Sequence, residues 1–517
     1  MNPEHDIARK FLDVAGSLPE APALGHGSLT LAYREVAALV EQYAGSLGRA
    51  VPAGHCVALS VRKSPPAIVL MLACLLARIP YVPIDPSAPL MRRRQILTDA
   101  DPALLLVSAR TVENWPGEQF DTADILEPGR GDLAARYMAP HLAVARRRDA
   151  VGSAAFTEQD IAYLLYTSGS TGTPKGVLIS VTNAGYFVDW ASRAFPLGRG
   201  DQQAQHAPLH FDLPVYDVFV ALTSGACLHL MDERTVLFPA AVYRFLRERG
   251  ITAAYAVPSA LNAMVRRSAF RREGLPALRR VLYAGEEYHV PQLRELMAAL
   301  PEATEVANLY GPVETNVVTW TAVDARAMAA GRVPIGRAVP GTEVRVVSEA
   351  GALLSCPADG ELVVSGPSVS PGYLNDPQRT SQTRMRAVAD GSESVYYRTG
   401  DFARIDDDGM VHLQGRRDGM VKIRGFRVEL GDVEAALTAH PEIVQAAVLP
   451  ISSPDAGPSL AAHVAAAPGA QLTPAALREW VGERLPSYMV PAEVTFHEQL
   501  PLTSTGKIAR SALGGAR

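Results

Sequence analysis

Short apolar segments alternate with helical patterns in two blocks of this chain, and the alternation constrains the fold more than any other feature. In residues 30–110, Val57–Val61 and Tyr81–Ile84 have the character of buried strands, with a helical pattern over Pro65–Arg78 between them. A second alternating block covers residues 178–330. Strands that alternate with helices form largely parallel sheets covered on both faces. We therefore expect an α/β domain built from two doubly wound lobes.

The pattern changes near residue 340 to short alternating strands, and Asp406-Asp-Asp-Gly409 has the composition of a hairpin turn. These strands predict a β-barrel-like lobe that completes a large N-terminal domain, residues 1–417. The remainder, residues 418–517, predicts a small, mobile α+β domain. Several lobes are expected on size alone, because the chain has 517 residues and single hydrophobic cores rarely exceed ~250–300.

Composition excludes several classes of protein. The formal charge of −5 and the isoelectric point near 6.2 argue against a nucleic-acid partner. The longest apolar run, Ala67–Ala77, is too short for a membrane span, and the N-terminus has no signal-peptide pattern. We expect a cytoplasmic protein without a membrane partner, in which Cys56, Cys74, Cys227 and Cys356 are reduced and buried.

One loop has the chemistry of a polyphosphate site. The apolar strand Ile161–Leu165 leads into Thr167-Ser-Gly-Ser-Thr-Gly-Thr-Pro-Lys175. Glycines let the backbone approach an anion closely, while hydroxyl groups and a lysine supply hydrogen bonds and charge. The loop is not a P-loop, because Pro174 stands where that motif needs glycine. A flexible Ser/Gly linker is the alternative, but a strand feeds the loop, and Pro174 and Lys175 are not linker chemistry.

This loop resembles the signature of the adenylate-forming superfamily, which contains amino-acid adenylation domains of nonribosomal peptide synthetases, acyl-CoA synthetases and luciferases. Further segments resemble that family's motifs, in its order and over nearly the whole chain: Asn308–Thr315 (N-L-Y-G-P-V-E-T), Tyr397–Asp401 (Y-R-T-G-D), Gly415–Gly431 and Leu500–Arg510. The resemblance implies an AMP-forming ligase that uses ATP and Mg²⁺. In this family the small C-terminal domain rotates between two half-reactions.

The resemblance assigns roles to individual residues. Lys507, Thr167 and Glu314 would be catalytic, Glu314 and Thr167 would hold Mg²⁺, and Asp418 would be the hinge. A carboxylate together with phosphate oxygens suits Mg²⁺. An acceptor-only carboxylate such as that of Asp401 can receive both ribose hydroxyls. The implied nucleotide-binding residues are Thr167, Ser168, Gly169, Ser170, Thr171, Gly172, Lys175, Gly285, Asn308, Tyr310, Gly311, Asp401, Arg416 and Lys507.

The segment His210-Phe-Asp-Leu-Pro-Val-Tyr-Asp217 predicts the substrate class. A carboxylate in such apolar surroundings needs a cationic partner, and in the family an aspartate at this place pairs with the α-amino group of an amino acid. A turn or helix-cap role for Asp212 is the alternative. Motif alignment gives a substrate pocket lined by Asp212, Leu213, Tyr216, Tyr255, Leu282, Ala284, Leu309, Val317 and Val318.

Apart from Asp212 this pocket is apolar, and the set is similar to that of stand-alone L-prolyl–carrier-protein ligases, which begin pyrrole-2-carboxylate synthesis. Proline suits it, because a secondary ammonium offers two N–H donors to Asp212; alanine, valine and pipecolate are near competitors. Only ten residues follow Lys507, so we expect a separate phosphopantetheinylated carrier protein as partner. Two alternative functions are those of an acyl- or aryl-acid CoA ligase and of a non-catalytic nucleotide-binding protein.

Overall fold

A computed structural model describes the chain. The described residues are 5–108, 120–122, 138, 142–147, 156, 160–168, 173–329, 331–389, 392–416, 420–453, 457–467, 469–501, 508 and 510–513. Lys507, Asp418 and residues 169–172 of the predicted polyphosphate loop lie outside them.

The strands follow one another along the whole chain. In the first part they are β1 Pro22–His26, β2 Leu29–Ala32, β3 Val57–Ser60, β4 Tyr81–Pro83, β5 Leu104–Ser108, β6 Phe120–Thr122, β7 Leu142–Arg147, β8 Ile161–Thr167, β9 Lys175–Ser180, β10 Gln202–Gln205, β11 Cys227–Leu230, β12 Ala253–Ala256, β13 Arg280–Tyr283, β14 Glu305–Tyr310, β15 Thr319–Ala322 and β16 Arg337–Ala338. The later strands are β17 Glu343–Val347, β18 Ala358–Ser365, β19 Gly372–Tyr373, β20 Arg384–Ala389, β21 Ser392–Ile405, β22 Val411–Arg416, β23 Met420–Ile423, β24 Phe426–Glu429, β25 Ile443–Ser453, β26 Gly457–Ala466 and β27 Glu493–His497.

Helices lie between these strands. They are α1 Ile7–Ser17, α2 Tyr33–Ala50, α3 Pro65–Leu76, α4 Leu90–Ala100, α5 Val181–Ala194, α6 Ala221–Ser224, α7 Glu233–Leu237, α8 Pro239–Glu248, α9 Pro258–Arg267, α10 Phe270–Glu273, α11 Val290–Ala299, α12 Pro377–Gln382, α13 Leu430–Thr438, α14 Pro474–Gly482 and α15 Arg510–Leu513. A π-helix covers Val215–Val220 and a 3₁₀ turn covers Ser487–Met489.

Two large sheets form the predicted α/β lobes. Within the described residues, one has eight strands in the order β19-β9-β8-β4-β3-β5-β7-β6, and the other has nine in the order β16-β15-β14-β13-β12-β10-β11-β1-β2. The central pairs, such as β3 with β4 and β12 with β13, are parallel, while β8 pairs antiparallel with β9. The sequence thus predicted the α/β class and the positions of central strands such as β3, β4 and β8.

The two N-terminal strands were not predicted from the sequence. β1 and β2 belong to the second sheet, where Leu24 pairs in parallel with Leu228 of β11. The sequence could not reveal this, because a strand's periodicity reports which faces are buried and not which distant strand it pairs with.

The apolar helix α3 occupies the core of the first lobe. Every residue from Pro65 to Leu75 is buried, so the helix is hydrophobic on all sides. Helix α2 shows the predicted amphipathic stripe, with Val36, Val40, Tyr43 and Leu47 buried against the same core. The run that was too short to span a membrane therefore serves as a central core helix.

The part of the chain after residue 340 forms two smaller units. Strands β17, β18, β20, β21 and β22 make an antiparallel sheet, and the predicted turn at residues 406–409 joins β21 to β22. The C-terminal unit contains the β23–β24 hairpin and the sheet β25-β26-β27, with α13 and α14 packed on a core that includes Val428, Val433 and Leu477. The α+β character expected there is present.

The cysteines follow the prediction at three of four positions. Cys56, Cys74 and Cys227 are buried free thiols, but Cys356 is exposed, so the expectation of four buried cysteines is wrong. Cys356 precedes Pro357 in an irregular segment before β18, where no periodic pattern indicates which side chains face inward.

Replacing Leu70, a fully buried residue of α3, should create a cavity in the first lobe. We expect Leu70→Ala to lower the free energy of unfolding by about 2–5 kcal/mol. Leu237→Ala is the control: Leu237 is 73% exposed, and its removal should change the free energy by less than about 0.5 kcal/mol. Chemical denaturation of both variants measures the difference, and equal effects would contradict the core position of α3.

Candidate active site

The carboxyl ends of parallel strands β12, β13 and β14 meet at one edge of the nine-stranded sheet, and the predicted site residues follow them. In sheets of this kind ligands bind beyond the carboxyl ends of the strands. Here a cavity of about 50 Å³ adjoins a larger one of about 890 Å³. Both are lined by Gly285, Tyr310, Asp401, Arg416, Met420 and Lys422.

The larger cavity gathers residues predicted to bind the nucleotide. Gly285, Asn308, Tyr310, Asp401 and Arg416 all line it, although they come from three separate segments of the chain. Gly311, another predicted nucleotide-binding residue, follows β14 and lines the smaller cavity. A volume of about 890 Å³ lies within the ~300–1,000 Å³ that is usual for small-molecule sites.

Asp401 is held in place by two neighbours. The Tyr310 hydroxyl donates a hydrogen bond of 2.5 Å to Asp401 Oδ2, and Arg416 Nη1 lies 2.9 Å from Asp401 Oδ1. The pairing of β21 with β22 sets this geometry, because Asp401 and Arg416 face each other in register. Burial and the adjacent Asp401 carboxylate raise the pKa of Tyr310 well above its ordinary value, so the hydroxyl remains a donor.

The smaller cavity surrounds Asp212. Its Oδ1 atom is buried and receives no hydrogen bond from the described residues. Burial raises the pKa of Asp212 to about 6, and the nearby Lys422 opposes that rise. Apolar side chains form the adjoining wall, namely Leu213, Tyr255, Ala284 and Val317. An unpaired carboxylate oxygen in apolar surroundings is chemically suited to receive a cationic donor.

The other predicted pocket residues lie outside the wall of the Asp212 cavity. Tyr216 is buried behind Tyr255, with ring centroids 5.7 Å apart in an edge-on contact. Leu309 lines the larger cavity. Leu282 and Val318 are buried in two different core clusters. Of the residues that motif alignment predicts, Asp212, Leu213, Tyr255, Ala284 and Val317 line the smaller cavity, and the substrate pocket itself stays a prediction.

Glu314 is buried in the segment between β14 and β15 and has two donors. The Tyr373 hydroxyl lies 2.7 Å from Oε1, and Arg427 Nη1 lies 3.1 Å from Oε1 and 3.4 Å from Oε2. Burial raises the pKa of Glu314, but Arg427 and Tyr373 outweigh burial and hold it below its usual value. The carboxylate is thus ionised and compensated by a cation.

The strand ends that flank the predicted polyphosphate loop lie opposite each other, with Thr167 of β8 paired to Lys175 of β9. Thr167 Oγ1 is buried and has no hydrogen-bond partner among the described residues. Lys175 Nζ lies 3.8 Å from Glu429 Oε1. Burial, followed by the charge of Arg379, lowers the pKa of Lys175 to about 8, against the opposing effect of Glu429.

An oxygen-only set of protein ligands fits Mg²⁺ better than a transition metal. The unpaired hydroxyl of Thr167 and the ionised carboxylate of Glu314 supply such oxygens. Among the described residues there is no group of three or more His, Cys, Asp or Glu side chains that could hold a metal. Phosphate oxygens of a nucleotide would have to complete the coordination.

The β23–β24 hairpin lies across this site, and sequence reasoning did not foresee its contacts. Ser168 Oγ, predicted to bind phosphate, donates a 2.7 Å hydrogen bond to the carbonyl of Arg427. Phe426 packs 5.2 Å from Phe211 and stacks 3.9 Å from Tyr488, measured between ring centroids. Glu286, Tyr373, Lys422 and Arg427 were missed. Only the hairpin residues could have been suspected, since they lie in the motif that contains the predicted hinge.

The comparisons with known proteins show the family of this chain. The AMP-binding enzyme family matches residues 11–374, and the AMP-binding enzyme C-terminal domain matches residues 432–507. This chain therefore belongs to the family of AMP-binding enzymes and is an AMP-forming ligase. No helix of the described residues is long and apolar enough to cross a membrane.

Two relatives and one solved structure are similar to this chain over nearly its whole length. The chain is 36% identical to an L-proline–[L-prolyl-carrier protein] ligase of Pseudomonas fluorescens, over 98% of this chain and 97% of the relative. It is also 36% identical to an L-proline–[L-prolyl-carrier protein] ligase of Streptomyces coelicolor, over 94% and 92%. The Vibrio cholerae adenylation domain AlmE, solved in complex with glycyl-adenosine-5′-phosphate, is 25% identical with a TM-score of 0.80, over 98% and 97%.

The ion pair between Glu314 and Arg427 should contribute to stability. Glu314→Ala would leave the Arg427 charge with Glu429 as its remaining carboxylate, 3.4 Å away, so we expect a loss of up to about 3–5 kcal/mol in the free energy of unfolding. The double variant Glu314→Ala/Arg427→Ala should lose less than Glu314→Ala alone, because it leaves no unpaired charge. Denaturation of the parent enzyme, of Glu314→Ala, of Arg427→Ala and of the double variant measures this coupling, and additive losses would contradict the pair.

Proposed function

We propose that this enzyme activates an amino acid with ATP and transfers it to the phosphopantetheine thiol of a carrier protein. The observation that carries the proposal is the pair of adjoining cavities. One holds the unpaired oxygen of Asp212, and the other gathers Tyr310, Asp401 and Arg416. A site for an ammonium group thus adjoins a nucleotide-sized site. The names of the two relatives, both amino acid–carrier protein ligases, support the same reaction.

In the first step an oxygen of the substrate carboxylate attacks the α-phosphorus of ATP. The new P–O bond gives the aminoacyl-adenylate, and pyrophosphate leaves with the electron pair of the broken P–O bond. Lys507 would contact the substrate carboxylate and the α-phosphate, and so reduce the repulsion between two anions. Asp401, oriented by Tyr310 and Arg416, would accept the ribose hydroxyls and hold the nucleotide for in-line attack.

Glu314 and Thr167 would bind Mg²⁺, which when bound neutralises charge on the nucleotide phosphates. Residues 168–175 of the predicted polyphosphate loop would hold the departing pyrophosphate. Glu314 is engaged by Arg427 of the hairpin in the described arrangement. A carboxylate paired with a guanidinium is not free for a metal, so we assign this arrangement to the second step. Asp418 would be the hinge that exchanges the two arrangements.

In the second step the carrier thiolate attacks the acyl carbon, the C–S bond forms, and AMP leaves with the electron pair of the C–O bond. A third cavity, of about 460 Å³, supports a route for the pantetheine arm. It is lined by residues of both domains, including His210 and Arg424, and by Phe426, whose ring contacts Phe211 of the Asp212 cavity. The thiol could thus approach the acyl group from the side opposite the nucleotide.

L-Proline is the substrate we propose. The apolar wall of Leu213, Tyr255, Ala284 and Val317 offers no charge for a polar side chain, and the cavity is small. Proline's secondary ammonium can donate two N–H groups toward Asp212, and both prolyl ligase relatives are named for this amino acid. With L-proline as substrate, the enzyme would catalyse the first step in the synthesis of pyrrole-2-carboxylate natural products. Alanine, valine and pipecolate differ by few methylenes, each worth only ~1–3 kcal/mol in such a pocket.

An acyl- or aryl-acid CoA ligase is the second candidate within the same family. Such substrates carry no ammonium group, and they would leave the Asp212 carboxylate buried and unpaired. Pyrophosphate exchange with a panel of amino acids, fatty acids and aryl acids tests both functions. Exchange that requires an amino acid supports the proposal, while exchange with simple fatty acids would contradict it.

Lys507→Ala should slow adenylate formation by several orders of magnitude and leave thioester formation from preformed adenylate largely intact. The reason is that the proposed contacts of Lys507 exist only in the first step. ATP–pyrophosphate exchange measures the first step, and single-turnover transfer to the carrier protein measures the second. Exchange at the parent rate would show that Lys507 is not catalytic.

Tetrahydrofuran-2-carboxylate should not be activated, although it keeps proline's ring and carboxylate. Its ether oxygen would face the Asp212 carboxylate, so two acceptors would meet and the buried charge would stay unpaired. Sites that bind a polar group in this way discriminate by ~10⁴-fold or more. We expect strong pyrophosphate exchange with L-proline, little with valine and none with the ether, and Asp212→Ala should remove most proline activity. Robust exchange with the ether would rule out the role of Asp212.

The same carboxylate should give the enzyme a pH dependence. Because burial raises the pKa of Asp212 to about 6, the group is protonated below that pH and cannot pair with an ammonium ion. The value of kcat/KM for the amino acid should therefore fall about tenfold per pH unit below about 6 and stay level above it. Asp212→Asn, compared at the same pH values, should show low activity without this transition. An unchanged profile in that variant would assign the transition to another group.

A further inference from the structure

Glu286 connects the nine-stranded sheet to the β23–β24 hairpin. It lies three residues beyond β13, at the edge where the two cavities meet, and it lines the larger one. Its Oε1 accepts a 2.7 Å hydrogen bond from the backbone N–H of Gly425, the residue at the turn of the hairpin. This bond spans 139 residues of sequence and joins the N-terminal domain to the C-terminal one.

Ser259, at the start of α9, orients the Glu286 carboxylate independently of the hairpin. The Ser259 backbone N–H donates to Glu286 Oε2 at 2.9 Å, and its hydroxyl donates to Oε1 at 3.2 Å. Because both donors belong to the N-terminal domain, the carboxylate keeps its orientation when the hairpin is elsewhere. The acceptor for the Gly425 N–H is therefore preorganised.

The hairpin turn also fits closely against the backbone beside Glu286. Gly425 has φ of +82°, and a Cβ there would stand 2.4 Å from Val257 Cγ1. A Cβ on Gly285 would stand 3.5 Å from the Cα of Gly425. Two glycines thus face each other without side chains between them, which lets the Gly425 N–H reach Glu286. The hairpin turn and the backbone beside Glu286 thus both have the shape that this arrangement of the domains requires.

We propose that Glu286 is a positioning residue for thioester formation, acting through the hairpin and not on the substrate. The inference rests on the proposed two-step function. By holding Gly425, Glu286 places Lys422 at the Asp212 cavity and Arg427 on Glu314. Since Glu314 paired with Arg427 is not available for the first step, the Glu286–Gly425 bond forms only in the second. The adenylation arrangement does not use it.

A purely structural role makes a different prediction. Glu286 also satisfies the N-terminal donor of α9 through Ser259, and loss of a helix cap would lower stability and slow both half-reactions together. If Glu286 has a positioning role, its replacement slows carrier loading alone. The ratio of the carrier-loading rate to the pyrophosphate-exchange rate therefore distinguishes the two roles, whatever the absolute loss of activity.

The test compares Glu286→Ala and Glu286→Gln with Glu302→Ala in the full-length enzyme. Glu302 is the control, because it is an exposed glutamate in the turn after α11 and lines none of the three cavities described above. We expect Glu286→Ala to reduce single-turnover transfer to a phosphopantetheinylated carrier protein by about 10- to 100-fold, the effect of losing a charge-assisted hydrogen bond. Pyrophosphate exchange should fall much less than transfer, so that the ratio of transfer rate to exchange rate drops about 10-fold or more.

Glu286→Gln keeps an acceptor oxygen for Gly425 and should recover a large part of the transfer rate, and Glu302→Ala should match the parent in both assays. Equal losses of exchange and transfer in Glu286→Ala, or unchanged transfer, would overturn the inference. If the parent enzyme exchanges pyrophosphate but loads no carrier protein, the proposed function itself is overturned and this inference with it. The two failures are thus distinguishable.

Discussion

The contact between Glu314 and Arg427 organises the site, because a buried carboxylate must have a cation beside it. Glu314 is 1% exposed, and in the described arrangement Arg427 of the hairpin supplies the charge. The proposed metal would supply it in the other step. The free energy of the pair is small compared with the cost of leaving either charge buried alone. The proposed domain rotation would therefore exchange one partner of Glu314 for another, so that the carboxylate always has one.

Around this pair, the sheet edge brings together segments that are far apart in sequence. β12, β13 and β14 deliver Tyr255, Ala284 and Tyr310 to neighbouring positions, because parallel strands end at the same edge. The antiparallel lobe adds Asp401 and Arg416 from two paired strands. The hairpin then covers the cavity from the opposite side with Lys422 and Arg427. The site is thus an interface between units, each of which is stabilised by its own core.

Local chemistry could be predicted from the sequence, but contacts between distant segments could not. Asp212 was predicted because its neighbours are apolar, and Asp401 and Tyr310 because their motifs resemble those of the family; all three line the cavities. Leu282 and Val318, predicted by alignment, line neither the smaller nor the larger cavity. Glu286 carries no local signal, since its role depends on a backbone N–H that is 139 residues away. Lys507, Asp418 and residues 169–172 lie outside the described residues and remain predictions.

The pairing of β1 with β11 has a consequence for synthesis on the ribosome. Leu24 is paired with Leu228, so β1 cannot pair with β11 until about 200 further residues have been synthesised. At ~5–20 residues per second, this delay is roughly 10–40 s. During that time β1 and β2 can form only their own hairpin, with an unpaired edge exposed to other nascent chains. Translation rate and chaperone access over the first 230 residues should therefore influence the yield of active enzyme more than they would in a protein whose lobes are consecutive.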